Sequence, residues 1–323
     1  MEEQYRMQWP VLLINFRRPE LTRRLLSVIS EANPPALYFF RDGPRDMADY
    51  TLTSAVGDLA LSLSQSVPTK VRLKSKNLGC RVAVEEAVSW FLSENPAGII
   101  LEDDCLPSRE FFSFADQMLS IYYDSPAVWM VSGVSFVNAD RHLRAGESSH
   151  TFDLLGGTWG WATWRRAWQL HSSSLGTLAK PENWAKLAAL KERFPFTIDR
   201  IVRGFISVRD NGLDTWDYQW AMSRLLASGL TVVPLRSLVT NVGFGPGATH
   251  TTQRPFGLRN TRPETLPYPL RPQLVSLNEG YAEAVERRDL VLFRFRQIGR
   301  RFRELLMKPI DGVYSRVITK KKY

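Results

Sequence analysis

Gly98-Ile99-Ile100-Leu101-Glu102-Asp103-Asp104-Cys105-Leu106-Pro107 is the stretch on which the fold of this chain turns. Three apolar residues, two of them β-branched, read as the end of a buried parallel strand. Three acids follow at once, and Pro107 stops the extended run. A strand ending in carboxylates places them at the carboxyl edge of a sheet, where open α/β folds hold ligands. Two carboxylates ~5 Å apart repel by about 3 kcal/mol at an effective dielectric of ~20, so folding the cluster needs compensation. A hard divalent cation with oxygen ligands, Mn²⁺ or Mg²⁺, would supply it. The plainer alternative is a solvated acidic turn.

Upstream, apolar runs alternate with helical patterns. Val11-Leu12-Leu13-Ile14 is a first strand, and Pro19 suits the first turn of a helix reaching about Ser30. Ala36–Phe40 is a second strand, with a helix over about 48–64 after it. Val71–Leu73 is a third, and Asn77-Leu78-Gly79 leads into a helix over about 81–92. That alternation predicts a mainly parallel sheet flanked by helices, an α/β class. The strand ends carry Asn15 and Arg17, then Asp42, then the acids 102–104, and a nucleotide lying along that edge would touch all of them.

Downstream, a helix is expected over 110–123, a strand over 128–132, helical structure over 180–210, and a strand at 229–234. Seven of the ten Trp fall between residues 159 and 220. Trp161, Trp164 and Trp168 stand at i, i+3, i+7, the spacing of one buried helix face. Trp159 lies off that face among glycines and suits stacking on a sugar ring. Asp214 and Asp217 fall in the first turn of a further helix, where carboxylates cap and complement the dipole. The Gly-rich loop 240–250 lacks the Lys and the spacing of a P-loop, so it is no ATPase signal.

At 323 residues the chain can bury a large core without staples, and two cysteines make no disulfide framework and fit a reducing compartment. Met-Glu-Glu-Gln-Tyr-Arg has no apolar h-region, and no run is long enough to span a bilayer, so a cytoplasmic protein is expected. The formal charge of +9 is local. Residues 287–323 hold twelve Lys/Arg and three Asp/Glu, and the other 30 basic and 30 acidic side chains cancel. In that tail Val291, Phe295, Ile298, Phe302 and Leu305 form one helical stripe among arginines. A basic amphipathic helix suits the anionic inner face of a membrane, each Lys/Arg there contributing about 1 kcal/mol. Packing on the domain is the alternative. No basic-aromatic β-surface or zinc spacing points to nucleic acid.

The order strand–Asn-x-Arg, strand–Asp-Gly, Asn-x-Gly before a helix, strand–Glu-Asp-Asp, Trp159-Gly160-Trp161 and Trp216-Asp217 resembles the GT-A (Rossmann-like) glycosyltransferases. Within that fold it is most similar to bacterial nucleotide-diphospho-sugar transferases related to N-acetylglucosaminyltransferase I, over about residues 10–250. The resemblance implies a hexosyl- or N-acetylhexosaminyltransferase acting with inversion in polysaccharide biosynthesis. Asp104 would bind the ion on the donor's diphosphate, with Glu102 and Asp103 at the nucleotide sugar or the metal shell. Asp42 would contact the base, Arg17 the phosphate or sugar side, and Asn15, Asn77 and Trp159 the rest of the donor. His250 would touch metal or diphosphate. Asp217 would be the general base, although the chain reads Asp217-Tyr218-Gln219 where eukaryotic relatives have two adjacent acids. The acceptor would be a glycan or a lipid-linked intermediate.

This reading divides the chain into a catalytic domain 1–252 (nucleotide half 1–105, acceptor half 106–252), a Pro/Arg-rich connector 253–286 and a basic tail 287–323. A sugar nucleotidyltransferase is the competing enzyme class, and it usually opens with a Gly-rich loop that Asn15-Phe16-Arg17-Arg18 lacks. A carbohydrate-binding or membrane-associated protein with merely structural acids is the non-enzymatic alternative.

Overall fold

The computed structural model describes residues 6–63, 67–137, 149–243, 266 and 270–306. The chain begins with β1 (Val11–Asn15), α1 (Pro19–Ala32), β2 (Leu37–Arg41), α2 (Met47–Leu63), β3 (Thr69–Leu73), α3 (Cys80–Glu94) and β4 (Ala97–Glu102). It continues through β5 (Cys105–Pro107), α4 (Arg109–Ile121), β6 (Val128–Ser132), β7 (His150–Asp153), β8 (Trp161–Trp164) and the single turn α5 (Arg165–Trp168). Next come α6 (Pro181–Arg193), α7 (Pro195–Asn211), α8 (Asp217–Leu226), β9 (Leu230–Pro234), β10 (Val239–Asn241) and α9 (Glu279–Leu306).

Eight strands form one mixed sheet in the order β3-β2-β1-β4-β8-β6-β9-β7, and β10 pairs with β5 in a small second sheet. The β3/β2/β1/β4 block is parallel, as is β6/β9, whereas β4/β8, β8/β6 and β9/β7 are antiparallel. This is the expected α/β class with helices on both faces. From β1 the chain adds β2 and β3 on one side, then returns to set β4 on the other. The carboxyl ends of β1 and β4 therefore flank a topological switch point, with Ile14 paired to Glu102.

Both faces of the sheet are covered, which explains the unbroken apolar strands. Leu12 and Ile14 pack with residues of α3, α7 and α8, while Val11 and Leu13 pack with residues of α1, α2 and α4. Two-sided burial also corrects one sequence expectation. Trp161 and Trp164 do not share a helix face, because they belong to strand β8 and only 165–168 are helical. Trp161 stacks on Trp216 at 5.1 Å in the first core, and Trp164 enters the second. A strand whose two faces both need an aromatic can imitate a helical period.

Pro195 starts a new helix inside the expected 180–210 segment. Helix α9 begins at Glu279, ahead of the expected 286/287 boundary, and its first part is docked. Tyr281 and Val285 are buried, Glu286 accepts from the Phe196 and Thr197 amides at 2.9 and 2.8 Å, and Arg200 pairs with Asp289 at 2.9 Å. Val291 and Phe295, the first members of the apolar stripe, are exposed. The side chains of Ile298, Phe302 and Leu305, and all of 307–323, lie outside the described residues. No helix among the described residues is long and apolar enough to cross a membrane.

Candidate functional site

A cavity of about 390 Å³ opens at the carboxyl ends of β1, β2 and β4. Asn15, Arg17, Asp42, Asn77, Glu102, Asp103, Asp104, Trp159 and Asp217 all line it. His250, the remaining residue singled out in the sequence, lies outside the described residues.

The polar residues of this cavity fall into two kinds. Some are fully engaged with the protein. Asn15 donates to the carbonyls of Leu13 and Phe40 at 3.2 and 3.3 Å and accepts from Thr22 Oγ1, knitting β1 to β2 and α1. Asp42 accepts from the Gly43 and Leu78 amides at 2.8 and 2.9 Å and from Asn77 Nδ2 at 2.7 Å. Asn77 also donates to the Gly43 carbonyl at 3.0 Å, so both of its amide hydrogens are in use. Burial pushes the Asp42 carboxyl up, against those amides and Arg41.

The acids at the end of β4 are of the other kind. Asp103 accepts from the Phe16 amide at 3.1 Å and from Arg18 Nη1 at 2.5 Å, and the same guanidinium reaches Asp104 at 3.1 Å. Asn241 donates to Asp104 at 3.3 Å. A Cβ on Gly243 would lie 2.2 Å from Asp104 Oδ2, so only glycine lets the chain after β10 pass so close. Burial, reinforced by the charges of Asp104, Asp103 and Asp217, pushes the Glu102 carboxyl up to about 8. Burial also pushes Asp103 up, with Arg18 opposing it. Arg18 is the cation that reaches this cluster among the described residues, and it leaves an excess of negative charge.

Two further guanidiniums line the same cavity. Arg17 Nη1 and Arg45 Nε reach the buried Asp49 at 2.9 and 2.5 Å. Asp46 also acts on Arg45, so these two guanidiniums meet two carboxylates, beside the Phe16 ring. The Arg45 hydrogen bond, with Arg17 adding to it, holds the Asp49 carboxyl below its usual range.

The donor set at Glu102–Asp104 is all oxygen and suits a hard divalent cation. Among the described residues no group of three or more His, Cys, Asp or Glu converges to cage one. A Mg²⁺- or Mn²⁺-type ion held by one or two carboxylates, with phosphate and water completing its shell, is the arrangement these residues fit. The crowding of carboxyl groups that raises Glu102 is what such an ion would relieve.

Neither a family model nor a curated protein matches the sequence. Solved structures similar to this chain include the mannosyltransferase PcManGT from Pyrobaculum calidifontis in complex with GDP-Man and Mn²⁺. It is 12% identical with a TM-score of 0.37, over 69% of this chain and 70% of that one. The galactosyltransferase LgtC in complex with donor and acceptor sugar analogs is 8% identical with a TM-score of 0.35, over 67% of this chain and 70% of that one. Likenesses at this level carry no argument about function, which has to rest on the cavity.

Several residues of the cavity were invisible in the sequence. Arg18 reads there as part of a helix entry, and nothing local shows that it spans to Asp103 and Asp104. Asp214 is expected to cap its own helix but precedes α8 and caps α3, accepting from the Cys80 and Arg81 amides at 2.7 and 2.9 Å. Gly79, at φ +79°, leaves room for it. Asp217 is the first residue of α8 and accepts from Thr215 Oγ1 at 2.6 Å. Cys80 also lines the cavity, but burial and the neighbouring Glu102 and Asp214 charges push its thiol up, which makes it a poor nucleophile.

Proposed function

We propose that this protein is a divalent-cation-dependent glycosyltransferase, moving a sugar from a nucleotide-diphosphate donor to a hydroxyl of a glycan or lipid-linked acceptor with inversion. The observation that carries the reading is the surplus of carboxyl groups at the end of β4 in a switch-point cavity that the Arg17 and Arg45 guanidiniums also line. A diphosphate that enters with a cation meets the carboxyl groups through that cation and the two guanidiniums through its own oxygens.

In this reading Asp104, with Asp103 beside it, holds the ion, which when bound polarises the diphosphate as a Lewis acid. Arg17 and Arg45 receive the phosphates. Asn15, Asp42 and Asn77 shape the rim that takes the nucleoside, their mutual hydrogen bonds keeping it rigid. Trp159 stacks on the sugar. Asp217 takes the proton of the acceptor hydroxyl, and Thr215 holds one of its oxygens while the other remains for that proton. His250 is assigned to the metal or diphosphate on the resemblance alone. The stretch 287–323, which begins within α9, is proposed as the contact to an anionic membrane surface, and residues 1–252 as the catalytic unit.

The test is thermal stability with UDP-, GDP- and dTDP-sugars, with and without Mn²⁺. One donor is expected to raise Tm only when Mn²⁺ is present, and Asp104→Ala to abolish that shift. A shift with free monosaccharide and none with any donor would favour the carbohydrate-binding alternative.

A further inference from the structure

Asp104 is the acid to which the glycosyltransferase reading gives the ion, and its two carboxylate oxygens differ. Oδ1 is turned towards the protein. It accepts from Asn241 Nδ2 at 3.3 Å and from the Cys105 thiol at 3.4 Å. A carboxylate oxygen offers about two lone-pair sites, so both of those on Oδ1 are in use. Oδ2 meets the Arg18 guanidinium at 3.1 Å. A Cβ on Gly243 would lie 2.2 Å from Oδ2, so glycine keeps that side of it clear.

The backbone fixes what happens at Oδ1. Asn241 ends β10, paired with Cys105 on β5. The Gly243 amide donates to Asn241 Oδ1 at 2.8 Å, a turn that leaves the NH₂ end of the side chain pointing at Asp104. The Val242 amide donates to the Asp104 carbonyl at 2.8 Å and ties the two backbones together at the same point. Asn241 is buried and lines the cavity with the acid that it holds.

Such a donor costs an ion nothing if the ion needs one oxygen of Asp104, and has to be given up if the ion takes both. Divalent cations differ in this respect. Mg²⁺ demands a near-octahedral shell that it shares among one or two carboxylates, phosphate and water, whereas Ca²⁺ takes about six to eight oxygens and readily binds a carboxylate through both. Mn²⁺ shares the octahedral habit.

We propose that Asn241 determines which cation this site accepts: by holding Oδ1 it restricts Asp104 to a single coordinating oxygen, Oδ2, and so favours Mg²⁺- or Mn²⁺-type ions over Ca²⁺. The assignment rests on the cation site of the glycosyltransferase reading and adds the residue that selects the ion. Asn241 acts through Asp104 and is a positioning residue.

The experiment compares the full-length wild type with Asn241→Ser and Asn241→Ala, without donor. Electron paramagnetic resonance of free Mn²⁺ gives the Mn²⁺ affinity, and competition against it gives that of Ca²⁺. Serine can still accept from the Gly243 amide but is too short to reach Asp104, and alanine loses both bonds. The ratio of the Ca²⁺ to the Mn²⁺ dissociation constant is expected to fall about fivefold in both variants, because Ca²⁺ no longer has to displace a hydrogen bond. A merely structural role would weaken the two ions together and leave the ratio unmoved. Should Asn241→Ala lose its cooperative melting, Asn241→Ser decides alone. A ratio in Asn241→Ser equal to that of the wild type overturns the proposal. A wild type that binds neither ion defeats the cation site of the transferase reading, and this assignment with it, whereas Mn²⁺ binding with an unmoved ratio defeats the Asn241 assignment alone.

Discussion

Two clusters of buried charge sit in the same sheet and are built on opposite principles. At the far edge, Asp153 at the end of β7 accepts from the Leu155 and Gly156 amides at 3.3 and 3.2 Å. Arg224 donates through Nη1 to the Leu155 carbonyl and to Thr231 Oγ1, and its buried Nε is left unmatched. Burial pulls the Arg224 guanidinium down to about 9, with Asp153 opposing that pull. At the switch point, Glu102, Asp103 and Asp104 have Arg18 between them and a cavity in front. The first cluster is nearly complete within the protein and fixes the loop that leads to Trp159. The second carries excess charge that only something entering the cavity can match. Matched burial reads as architecture, and unmatched burial at a cavity reads as a site.

The largest expected effect is at the open end. Asp217→Asn should lower turnover by about 10²–10⁴-fold, the usual range for a lost general base. Donor binding with Mn²⁺, followed by thermal shift, should survive. Turnover near wild type in this variant would remove Asp217 from the chemistry and leave the cavity a binding site.

The closed cluster should respond in stability alone. Arg224→Met takes the donor from the Leu155 carbonyl and Thr231 Oγ1 in the interior and is expected to cost about 1–3 kcal/mol by urea denaturation. Donor and Mn²⁺ should not selectively restore it, because neither reaches that edge. Selective recovery by donor would mean that the two clusters are coupled and the contrast between them is false.

The same edge predicts a pH dependence. His150 on β7 is fully buried, bonded to the Tyr122 hydroxyl at 2.7 Å, and burial lowers its pKa from 6.5 to about 4. The unfolded chain then binds more protons than the folded one between those values, so stability rises with pH across that window and is lost as pH falls through it. The shift corresponds to about 3 kcal/mol at its acid end. His150→Gln should flatten that limb in denaturation midpoints measured from pH 7 down to 4. An unchanged slope would assign the acid sensitivity instead to carboxylates that the fold holds below their usual range, such as Glu85 and Asp49.

How much of this contrast was legible in the sequence follows from how local each signal is. Strands β1 to β4 showed themselves as short apolar runs, because two-sided burial needs them. The acids after β4 showed as three consecutive letters, and their neighbours in the cavity lay at strand ends that the βα alternation had already placed. Pairings across long separations left no trace. Arg18 meets Asp103 and Asp104 across 85 and 86 positions, and Asp214 reaches the first turn of α3 across 133 and 134. Their sequence neighbourhoods suggest a helix entry and a local cap, both reasonable and both incomplete. Strand β8 was hidden for a different reason, since Trp161 and Trp164 serve opposite cores and so show no alternation.

The smallest expected effect is the most discriminating. Arg18→Met removes the guanidinium that, among the described residues, reaches Asp103 and Asp104, at a cost of about 2 kcal/mol for a charged hydrogen bond. If the open cluster is a cation site, Arg18 occupies the position an ion would otherwise take, and the two compete. Mn²⁺ alone, without donor, should then bind the variant more tightly than the wild type and restore part of the lost stability by mass action. Electron paramagnetic resonance of free Mn²⁺ measures the affinity, and denaturation with and without the ion measures the recovery. Weaker Mn²⁺ binding in Arg18→Met would mean that the guanidinium holds the carboxylates in place for the ion. Loss of stability with no Mn²⁺ response in either protein would make Glu102–Asp104 a second closed cluster, and the distinction between the two edges of the sheet would disappear.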